Sequence, residues 1–446
     1  MTGLARAGKT AFLTSLAANL LAFGAGHPVL PGFARRLKGR RAQVALAPFG
    51  ASGLPRFDHP RHLAALTRDP PAWPERTSAA SMLALDLVIG RERLGIGLPP
   101  QRLRLELLDY PGEWLLDLPL LRAGFAEWSA AVLRRLQATA MAPYAGEFMA
   151  FNSALPASAP ADEALAATGH RLYRAMLHRL RNEAGLSLLQ PGRFLMPAPG
   201  PEPAWTPFFP NLGTGGLEGL LARRYAAYVQ AVQRDLHEPM FGNLDRIVVL
   251  VDLLTALHAG PDAFGDAAAA VAAAAGALRW RRSWIEAAWA LGHLRLPPRV
   301  VSRVAFAATK SDHVAERQRG NLAALLRNVA QDGPGSGNGD APAFGFAAEV
   351  PTSHLPIAAV RCTEDFVWTL DGRPVSAVRG RRIGDERLLR SYPGEVPDRP
   401  PDDAFWAHPF LQLPDFEPLR PPQDGRGGVP ELGLDALLCF LLDDVL

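Results

Sequence analysis

Apolar and polar positions along the chain follow two periods that together predict a mixed α/β fold. Residues 82–89 (MLALDLVI) and 102–108 (RLRLELL) alternate, as strands with one solvated face do, and the loop between them can link an antiparallel pair. Residues 246–254 and 300–307 are nearly continuous apolar runs, which are typical of parallel strands buried on both faces. Residues 356–362 (PIAAVRC) predict the last strand of that parallel sheet.

Helical periodicity dominates the middle of the chain. Residues 116–136, 163–183 and 217–236 have apolar side chains at three- and four-residue spacing, and Pro-rich loops separate them. We therefore predict a helical domain inserted into the α/β fold, followed near the C-terminal end by a hairpin, a Pro-rich arm and an apolar helix. The predicted divisions are residues 1–113 and 244–365 for the α/β domain, 114–243 for the inserted domain, and 366–446 for the C-terminal segments.

Composition narrows the class of protein. The chain has 446 residues, of which 48% are hydrophobic and 20% charged, so it is long enough for a large core and more than one domain. A formal net charge of +3 is too small to indicate nucleic-acid binding. Two cysteines give no disulfide framework, and no signal peptide or membrane-spanning run is apparent, so we expect a cytoplasmic protein. Basic clusters at residues 35–41 and 379–382 fit solvated loops or, alternatively, contact with an anionic membrane surface or an acidic partner.

The first chemical motif is a phosphate-binding loop at the start of the chain. Residues 3–10 (GLARAGKT) fit G-x-x-x-x-G-K-[ST] at every fixed position. The glycines let backbone N–H groups face a β-phosphate, Lys9 places a positive charge against the β- and γ-phosphates, and the Thr10 hydroxyl is a ligand for Mg²⁺. A helix is predicted to follow, and its N-terminal dipole favours the same anion. The predicted phosphate-binding residues are Gly3, Arg6, Ala7, Gly8, Lys9, Thr10 and Ala11.

The position of this loop is unusual. A phosphate-binding loop normally follows a buried strand, whereas only Met1 and Thr2 precede Gly3, so the first core strand is predicted to be missing from this chain. Two explanations are open: the reading frame begins too late, or the protein lacks this strand. We favour the first, and we expect a chain with about ten further apolar residues upstream to be more stable because a full strand would then pair into the sheet.

A second motif follows the alternating strand at 102–108. Asp109 and Gly112 match D-x-x-G, in which the aspartate holds Mg²⁺ through a water and the glycine N–H contacts the γ-phosphate. The segment beyond the glycine can then order and release with nucleotide state. Many small GTPases have glutamine at the next position to orient the attacking water, and here the residue is Glu113. Phosphate repels a carboxylate unless that carboxylate positions water or metal. We therefore expect hydrolysis either to be slow or to depend on Arg76, the inserted domain or a partner.

A third motif predicts the base that is bound. Thr309, Lys310 and Asp312 end a buried strand and match [NT]-K-x-D, the guanine-recognition motif of translation-factor-like GTPases. Guanine presents an N1–H and an amine on one edge, and a single carboxylate accepts both, whereas adenine presents the wrong donors. Lys310 is predicted to lie over the base, and Thr309 to connect this loop to the phosphate-binding loop. The last predicted strand ends in candidates for directing a backbone N–H toward the guanine oxygen: Ala359, Val360 and Arg361, with Cys362 and Thr363.

A switch threonine is expected before the strand that pairs with the D-x-x-G strand. Thr77 and Ser78 are the candidates, and Thr77 is predicted to ligate Mg²⁺ through its hydroxyl and to contact the γ-phosphate through its N–H. Arg76 beside it is a candidate for stabilising charge in the transition state. A simple turn before the strand is the alternative for both residues. The predicted catalytic residues are thus Lys9, Arg76, Thr77 and Glu113, and the predicted Mg²⁺ ligands are Thr10, Thr77 and Asp109.

Together, these motifs resemble the YcjX-like family of bacterial P-loop proteins. Residues 109–121 (DYPGEWLLDLPLL) are a long and specific match, and residues 3–10, residues 391–397 (SYPGEVP) and the closing GLDALLCFLL are also similar to that family. The resemblance covers nearly the whole chain. It implies a P-loop NTPase domain of the Ras-like GTPase type with an inserted α-helical domain. It also implies a cytosolic, stress-associated role with coupling to a membrane protein, and so a location that includes the periphery of the inner membrane.

Three functions remain open at this point. The first is a GTP-binding switch protein that uses Mg²⁺ and GTP/GDP, hydrolyses GTP slowly, and conveys its nucleotide state to a membrane-protein or other protein partner through the helical domain. The second is a P-loop ATPase, because members of the family are also described, less specifically, as ATPases. The third is a scaffold that binds nucleotide without hydrolysing it, which Glu113 and the missing strand favour. The sequence does not determine the oligomeric state.

Overall fold

The computed structural model describes residues 2–3, 7–48, 55–75, 81–93, 96–109, 111–197, 203, 205–237, 244–290, 301–331, 350–370, 372–385, 387–407, 413–422 and 427–446. Its strands are β1 (Thr2–Gly3), β2 (Ala42–Leu46), β3 (Ser81–Arg93), β4 (Ile96–Asp109), β5 (Arg246–Val251), β6 (Arg303–Ala308), β7 (Thr352–Pro356), β8 (Glu364–Leu370), β9 (Arg373–Arg381) and β10 (Leu388–Ser391). Its helices are α1 (Lys9–Gly24), α2 (Pro31–Arg36), α3 (His59–Thr67), α4 (Gly112–Leu115), α5 (Phe125–Arg135), α6 (Ala142–Ala154), α7 (Glu163–Asn182), α8 (Gly192–Leu195), α9 (Gly216–Val232), α10 (Leu253–Ala259), α11 (Pro261–Ala290), α12 (Glu316–Gln331), α13 (Asp403–Trp406) and α14 (Leu434–Leu442). The fold is therefore mixed α/β.

Four strands form a parallel sheet in the order β1-β5-β6-β7. β5 and β6 are buried along almost their whole length, which confirms the interpretation of the two continuous apolar runs as parallel strands. β5 ends at Val251, and the next residue, Asp252, is the N-cap of α10. The Asp252 carboxylate accepts a hydrogen bond from the Thr255 N–H at 3.0 Å.

The first strand of this sheet is present, although the sequence analysis predicts that it is missing. β1 has only two residues, Thr2 and Gly3, which lie opposite Val249 and Leu250 of β5 in parallel register. A Cβ atom on Gly3 would lie 2.7 Å from the Leu250 Cβ, so this close approach favours glycine. Strand prediction relies on alternation or apolar character over at least four residues, and a two-residue strand has neither.

A second sheet is antiparallel, in the order β2-β3-β4. The predicted pairing of the two alternating segments is confirmed, with Leu85 opposite Leu105 and Ser81 opposite Asp109. The alternating leucines of β3 are buried in one cluster with Leu13 and Phe12 of α1. β2 is not predicted, because its five residues lie within a Pro-, Gly- and Arg-rich stretch. The register of this sheet places Asp109 at the end of β4.

The last parallel strand lies earlier in the chain than predicted. β7 spans Thr352–Pro356, and the residues that follow, 357–362, form a loop instead of the predicted strand. The apolar side chains of Ile357 and Ala358 are buried in this loop. The backbones of Ala358 and Leu432 exchange two hydrogen bonds, both 2.8 Å long. The predicted hairpin is confirmed as β8 and β9, whose turn includes Asp371, a residue outside the described ranges.

Helices α4 to α9 occupy the chain between β4 and β5. α7 and α9 confirm the helical periodicity at 163–183 and 217–236. The single helix predicted over residues 116–136 is wrong, because Pro119 and Gly124 interrupt it and a 3₁₀ turn, Leu118–Arg122, precedes α5. Aromatic side chains fill the core of this segment, among them Phe148, Tyr173, Phe194, Trp205, Phe208 and Tyr228.

The C-terminal helix α14 packs beside α2, the short helix near the start of the chain. Asp435 accepts hydrogen bonds from the backbone N–H groups of Gly32 at 2.6 Å and Phe33 at 2.8 Å, which satisfies two donors at the N-terminal end of α2. Across the described part of the chain, no helix combines the length and the apolar character that a membrane span requires.

Candidate functional site

A cavity of about 640 Å³ lies beyond the carboxyl ends of the parallel strands. Segments that follow β1, β4, β5, β6 and β7 line it, which is where α/β proteins place ligand sites. Of the residues predicted from the sequence, the cavity brings together Ala7, Gly8, Lys9, Thr10, Ala11, Asp109, Glu113, Thr309, Lys310, Asp312, Ala359, Val360 and Cys362. Gly3, Gly112, Arg361 and Thr363 are described but do not line it, whereas Arg6, Arg76, Thr77 and Ser78 lie outside the described residues.

One end of the cavity contains backbone donors and a cation. Gly8 precedes α1 with φ +78°, a conformation that favours glycine, and its carbonyl accepts the Phe12 N–H at 2.9 Å. The N–H groups of the first helical turn have no acceptor within the helix, so this end of α1 attracts anions. The Lys9 ammonium donates to the Gly3 carbonyl at 3.2 Å, which holds the ammonium against the loop. This geometry suits a bound phosphate.

Two oxygen-bearing side chains face the same end. Thr10 and Asp109 both line the cavity, and both residues are buried. Asp109 owes its place to the register of β3 and β4, and Thr10 to the start of α1. A hydroxyl and a carboxylate are the oxygen ligands that Mg²⁺ accepts, so the donor set fits this ion. Thr77, the third predicted ligand, lies outside the described residues.

The other end of the cavity contains Asp312, which is 1% exposed. The Cys362 backbone N–H donates to its Oδ2 atom at 2.6 Å, and the Cys362 thiol donates to the same atom at 3.1 Å. Within the described ranges, no residue donates to the second oxygen, Oδ1. Burial, reinforced by the Asp312 carboxylate, raises the pKa of the Cys362 thiol well above its ordinary value, so the thiol stays protonated and able to donate. Cys362 therefore orients the carboxylate and leaves one oxygen for a ligand.

Lys310 lies beside this carboxylate in a left-handed conformation with φ 59°. Its ammonium contacts Asp252 Oδ2 at 2.6 Å and donates to the Thr255 hydroxyl at 2.9 Å. Thr309 donates both its N–H, at 2.8 Å, and its hydroxyl, at 3.3 Å, to the Val251 carbonyl, so its described bonds lead to β5 rather than to the phosphate-binding loop. The sequence analysis misses Asp252 and Thr255, although a D-x-x-T capping pattern directly after a buried strand is a usable signal.

The loop after β7 offers fewer donors to a base than predicted. The Arg361 N–H donates to the Pro430 carbonyl at 2.8 Å, and the Cys362 N–H donates to Asp312, so both groups are already used. Ala359 and Val360 precede them and line the cavity. The acceptor of the Arg361 N–H, Pro430, lies far from Arg361 in the sequence, so the motif alone does not predict this contact.

Residues of the C-terminal arm cover the Asp312 end of the cavity. Phe416 is buried, and its ring lies 5.6 Å from the ring of His313. The Trp73 indole N–H donates to the Phe416 carbonyl at 2.9 Å, so the arm is held from the opposite side. Burial lowers the pKa of His313, which keeps this imidazole neutral beside the apolar arm. The arm thus adds an apolar wall that the motifs do not predict.

Glu113, directly after the D-x-x-G glycine, forms an ion pair with the helical segment. Its Oε1 atom lies 2.6 Å from Nη2 of Arg181, at the end of α7, and both residues line the cavity. The side chain of Glu113 is 6% exposed and that of Arg181 24%. The sequence does not predict a site role for Arg181, because an arginine on an amphipathic helix ordinarily faces solvent.

A comparison with protein-family models identifies the family of the chain. The model of the YcjX-like family, DUF463, matches residues 1–446, the whole chain. The chain belongs to the YcjX-like family. The resemblance inferred from residues 109–121 and the other motifs is thereby confirmed.

Two curated relatives are similar along nearly their full length. The Ras-like GTPase YcjX of Escherichia coli strain K12 is 34% identical over an alignment of 464 positions, which covers 100% of this chain and 95% of that protein. The Ras-like GTPase YcjX of Shewanella oneidensis strain MR-1 is 31% identical over 472 positions, with 100% and 94% covered.

Proposed function

We propose that this protein is a GTP-binding switch protein with a P-loop NTPase domain of the Ras-like type and an inserted helical domain. The observation that supports this most is one cavity with Lys9 and Thr10 at one end and Lys310 and Asp312 at the other. A nucleoside triphosphate has the matching polarity, with anionic phosphates at one end and a hydrogen-bonding base at the other. The two similar proteins from E. coli and S. oneidensis are named Ras-like GTPases, which supports the same proposal.

Recognition of guanine is assigned to Asp312. Its Oδ2 atom is engaged by Cys362, and Oδ1 remains to accept the N1–H and exocyclic amine of guanine. Adenine has no donor at its N1 position, so its base would leave the Oδ1 atom of this buried carboxylate without a donor. The stem of Lys310 provides an apolar surface beside the base, while its ammonium is held by Asp252 and Thr255. Of the predicted donors at residues 359–363, Ala359 and Val360 are assigned to the guanine oxygen, because the N–H groups of Arg361 and Cys362 already have acceptors.

The proposed reaction is slow hydrolysis of GTP. A water oxygen forms a bond to the γ-phosphorus while the bond from that phosphorus to the bridging oxygen breaks; GDP leaves with the electron pair, and the water proton passes to a phosphate oxygen. Lys9 and the N-terminal end of α1 stabilise the charge that develops between the β- and γ-phosphates. Mg²⁺, held by Thr10 and through water by Asp109, would neutralise further charge. Arg76 and Thr77 remain predictions for this step.

A nucleotide-bound scaffold that does not hydrolyse GTP is the second candidate. Glu113 favours it, because the position that orients water in many GTPases here holds a carboxylate already paired with Arg181. Multiple-turnover release of phosphate from GTP, abolished by Lys9→Ala, would exclude the scaffold.

The proposal for the GTP-binding switch protein also includes coupling to a membrane-protein or other protein partner and a stress-associated role. It further includes a cytoplasmic or peripheral inner-membrane location.

A change of base preference tests this proposal. In Asp312→Asn the amide replaces an acceptor with a donor, so the variant should bind xanthosine triphosphate more tightly than GTP, whereas the wild type should prefer GTP. Asp415→Asn is the matched control, since Asp415 lines the same cavity and is exposed. That control should keep the wild-type preference. Unchanged GTP affinity in Asp312→Asn would show that this carboxylate does not contact the base.

A further inference from the structure

Helix α7 places a cation in the wall of the cavity next to the D-x-x-G turn. Among the described residues that line the cavity, three are lysine or arginine: Lys9, Lys310 and Arg181. Asp252 and Thr255 hold the ammonium of Lys310 at the base end. Arg181 lies at the other end, because its partner Glu113 belongs to α4, and α4 packs against β1, the strand that leads into the phosphate-binding loop.

The helical segment also fixes the turn that contains Glu113. A Cβ atom on Gly192 would lie 2.0 Å from the Glu113 carbonyl oxygen, so the two backbones are in close contact. The Trp114 indole N–H donates to the Met196 carbonyl at 2.8 Å, and the Arg193 guanidinium lies 5.2 Å from the Trp114 ring centre. With its backbone held in this way, Glu113 is a fixed acceptor that holds Arg181 at the cavity wall.

The charge balance changes when a triphosphate enters. Asp109 and Glu113 already place two carboxylates at this end, and the γ-phosphate adds further negative charge. Arg181 is able to serve both groups, because a guanidinium has five N–H donors and the pair with Glu113 uses one of its three nitrogens. A guanidinium also matches the geometry of phosphate oxygens better than an ammonium does.

We propose that Arg181 is a catalytic residue, supplied by the helical segment of the same chain, that stabilises the γ-phosphoryl group during GTP hydrolysis. This inference rests on the proposed function. Before the bond to the bridging oxygen breaks, Glu113 holds Arg181 in place; as charge develops on the phosphoryl oxygens, Arg181 donates to them. An arginine in this role raises the hydrolysis rate of related reactions by about 10³- to 10⁵-fold.

A purely structural ion pair is the competing explanation, and it predicts a different response to mutation. If Arg181 only neutralised Glu113, Arg181→Ala would be harmful because it leaves a buried carboxylate unpaired. Replacing that carboxylate in the double variant Glu113→Ala/Arg181→Ala would then restore the hydrolysis rate. A catalytic arginine cannot be restored in this way, since the double variant still lacks its guanidinium.

The experiment measures three quantities on the full chain: GDP affinity, single-turnover GTP hydrolysis, and binding of the transition-state mimic GDP–aluminium fluoride. We expect Arg181→Ala to reduce the hydrolysis rate by roughly 10³-fold and to lose the mimic, while GDP affinity is unchanged. The double variant should be equally slow. Arg179→Ala is the control, because Arg179 lies on the same helix in an exposed pair with Glu183 and should leave all three quantities unchanged.

The outcomes separate this inference from the proposed function. A wild-type protein that binds neither GTP nor GDP would contradict the proposed function itself. A wild type that hydrolyses GTP, together with an Arg181→Ala variant that is equally fast or a double variant that recovers the rate, would overturn only the role of Arg181. If Arg181→Ala does not fold, the double variant, which has no unpaired carboxylate, provides the rate that decides.

Discussion

Gly192 is the point at which the helical segment comes closest to the backbone of the D-x-x-G turn. A Cβ atom there would lie 2.0 Å from the Glu113 carbonyl oxygen, 2.5 Å from its carbonyl carbon and 3.2 Å from Asp117 Oδ2. Because Gly192 begins the helix α8, its backbone conformation suits an alanine, and lack of space alone opposes the substitution. Gly192→Ala therefore tests the packing of these two elements directly.

The expected loss of stability has two parts. Real Cβ atoms do not approach closer than 3.0 Å, so the two backbones must separate by about 1 Å. Such overpacking costs about 1–3 kcal/mol of unfolding free energy. The same movement breaks the hydrogen bond from the Gly192 N–H to Asp117 Oδ1, now 2.8 Å long, and leaving a buried acceptor unsatisfied costs about 1–3 kcal/mol more. Together, the loss should be roughly 2–6 kcal/mol.

Urea unfolding followed by tryptophan fluorescence measures this loss. The control is Gly146→Ala in α6, where an added Cβ meets no atom within 4 Å. Alanine should stabilise that helix by about 0.5–1 kcal/mol, because glycine is a poor helix former. A Gly192→Ala protein within about 0.5 kcal/mol of the wild type would refute the close packing of Gly192 on Glu113.

Three further changes have defined outcomes. Burial raises the pKa of Asp117 to about 7, despite hydrogen bonds from Tyr228 and Gly192. Protonated Asp117 therefore contributes its full stabilisation below about pH 4, and this contribution is lost as the pH rises through 7. The unfolding free energy of Asp117→Asn, measured from about pH 4 to 8, should lack this decline, and a pH profile identical to that of the wild type would contradict the assignment. Asn19→Ala removes a buried amide that bonds Ser15 and Val429, and should lower the unfolding free energy by about 1–3 kcal/mol in a thermal melt; no loss would mean that these bonds are absent. Phe208→Ala, at a fully buried position, should cost about 3–5 kcal/mol in urea unfolding, and a loss below about 1 kcal/mol would contradict its burial.

The sequence predicts those parts of the fold where one local pattern decides the structure. Alternation along residues 82–89 and 102–108 is enough to fix β3 against β4, because a shift by one residue would turn the leucines toward solvent. The motifs also place Lys9, Asp109 and Asp312 around one cavity, since each lies at or beyond the carboxyl end of a strand. Motif order and strand order support each other here, which no single motif does.

The remaining features depend on contacts between distant parts of the chain. The apolar residues Ile357 and Ala358 fit the pattern of a strand. They lie instead in a loop that is buried under C-terminal residues such as Leu432. Arg361 fits the position of a base donor, but Pro430 occupies its N–H. Arg181 is one arginine among many on a helix, and only the folded chain reveals its contact with Glu113. Periodicity cannot detect such pairs, because neither partner has a local pattern that identifies the other.

Binding of guanine in preference to adenine is the central claim, and a competition titration tests it most directly. A fluorescent GTP analogue is bound to the wild-type chain with Mg²⁺ and then displaced by GTP, inosine triphosphate or ATP. Loss of a charge-assisted hydrogen bond costs about 1.5–3 kcal/mol, so inosine triphosphate, which lacks the exocyclic amine, should compete at least about tenfold more weakly than GTP. ATP lacks both donors and should compete at least about 100-fold more weakly. Displacement by ATP at the same concentration as GTP would contradict base recognition by Asp312.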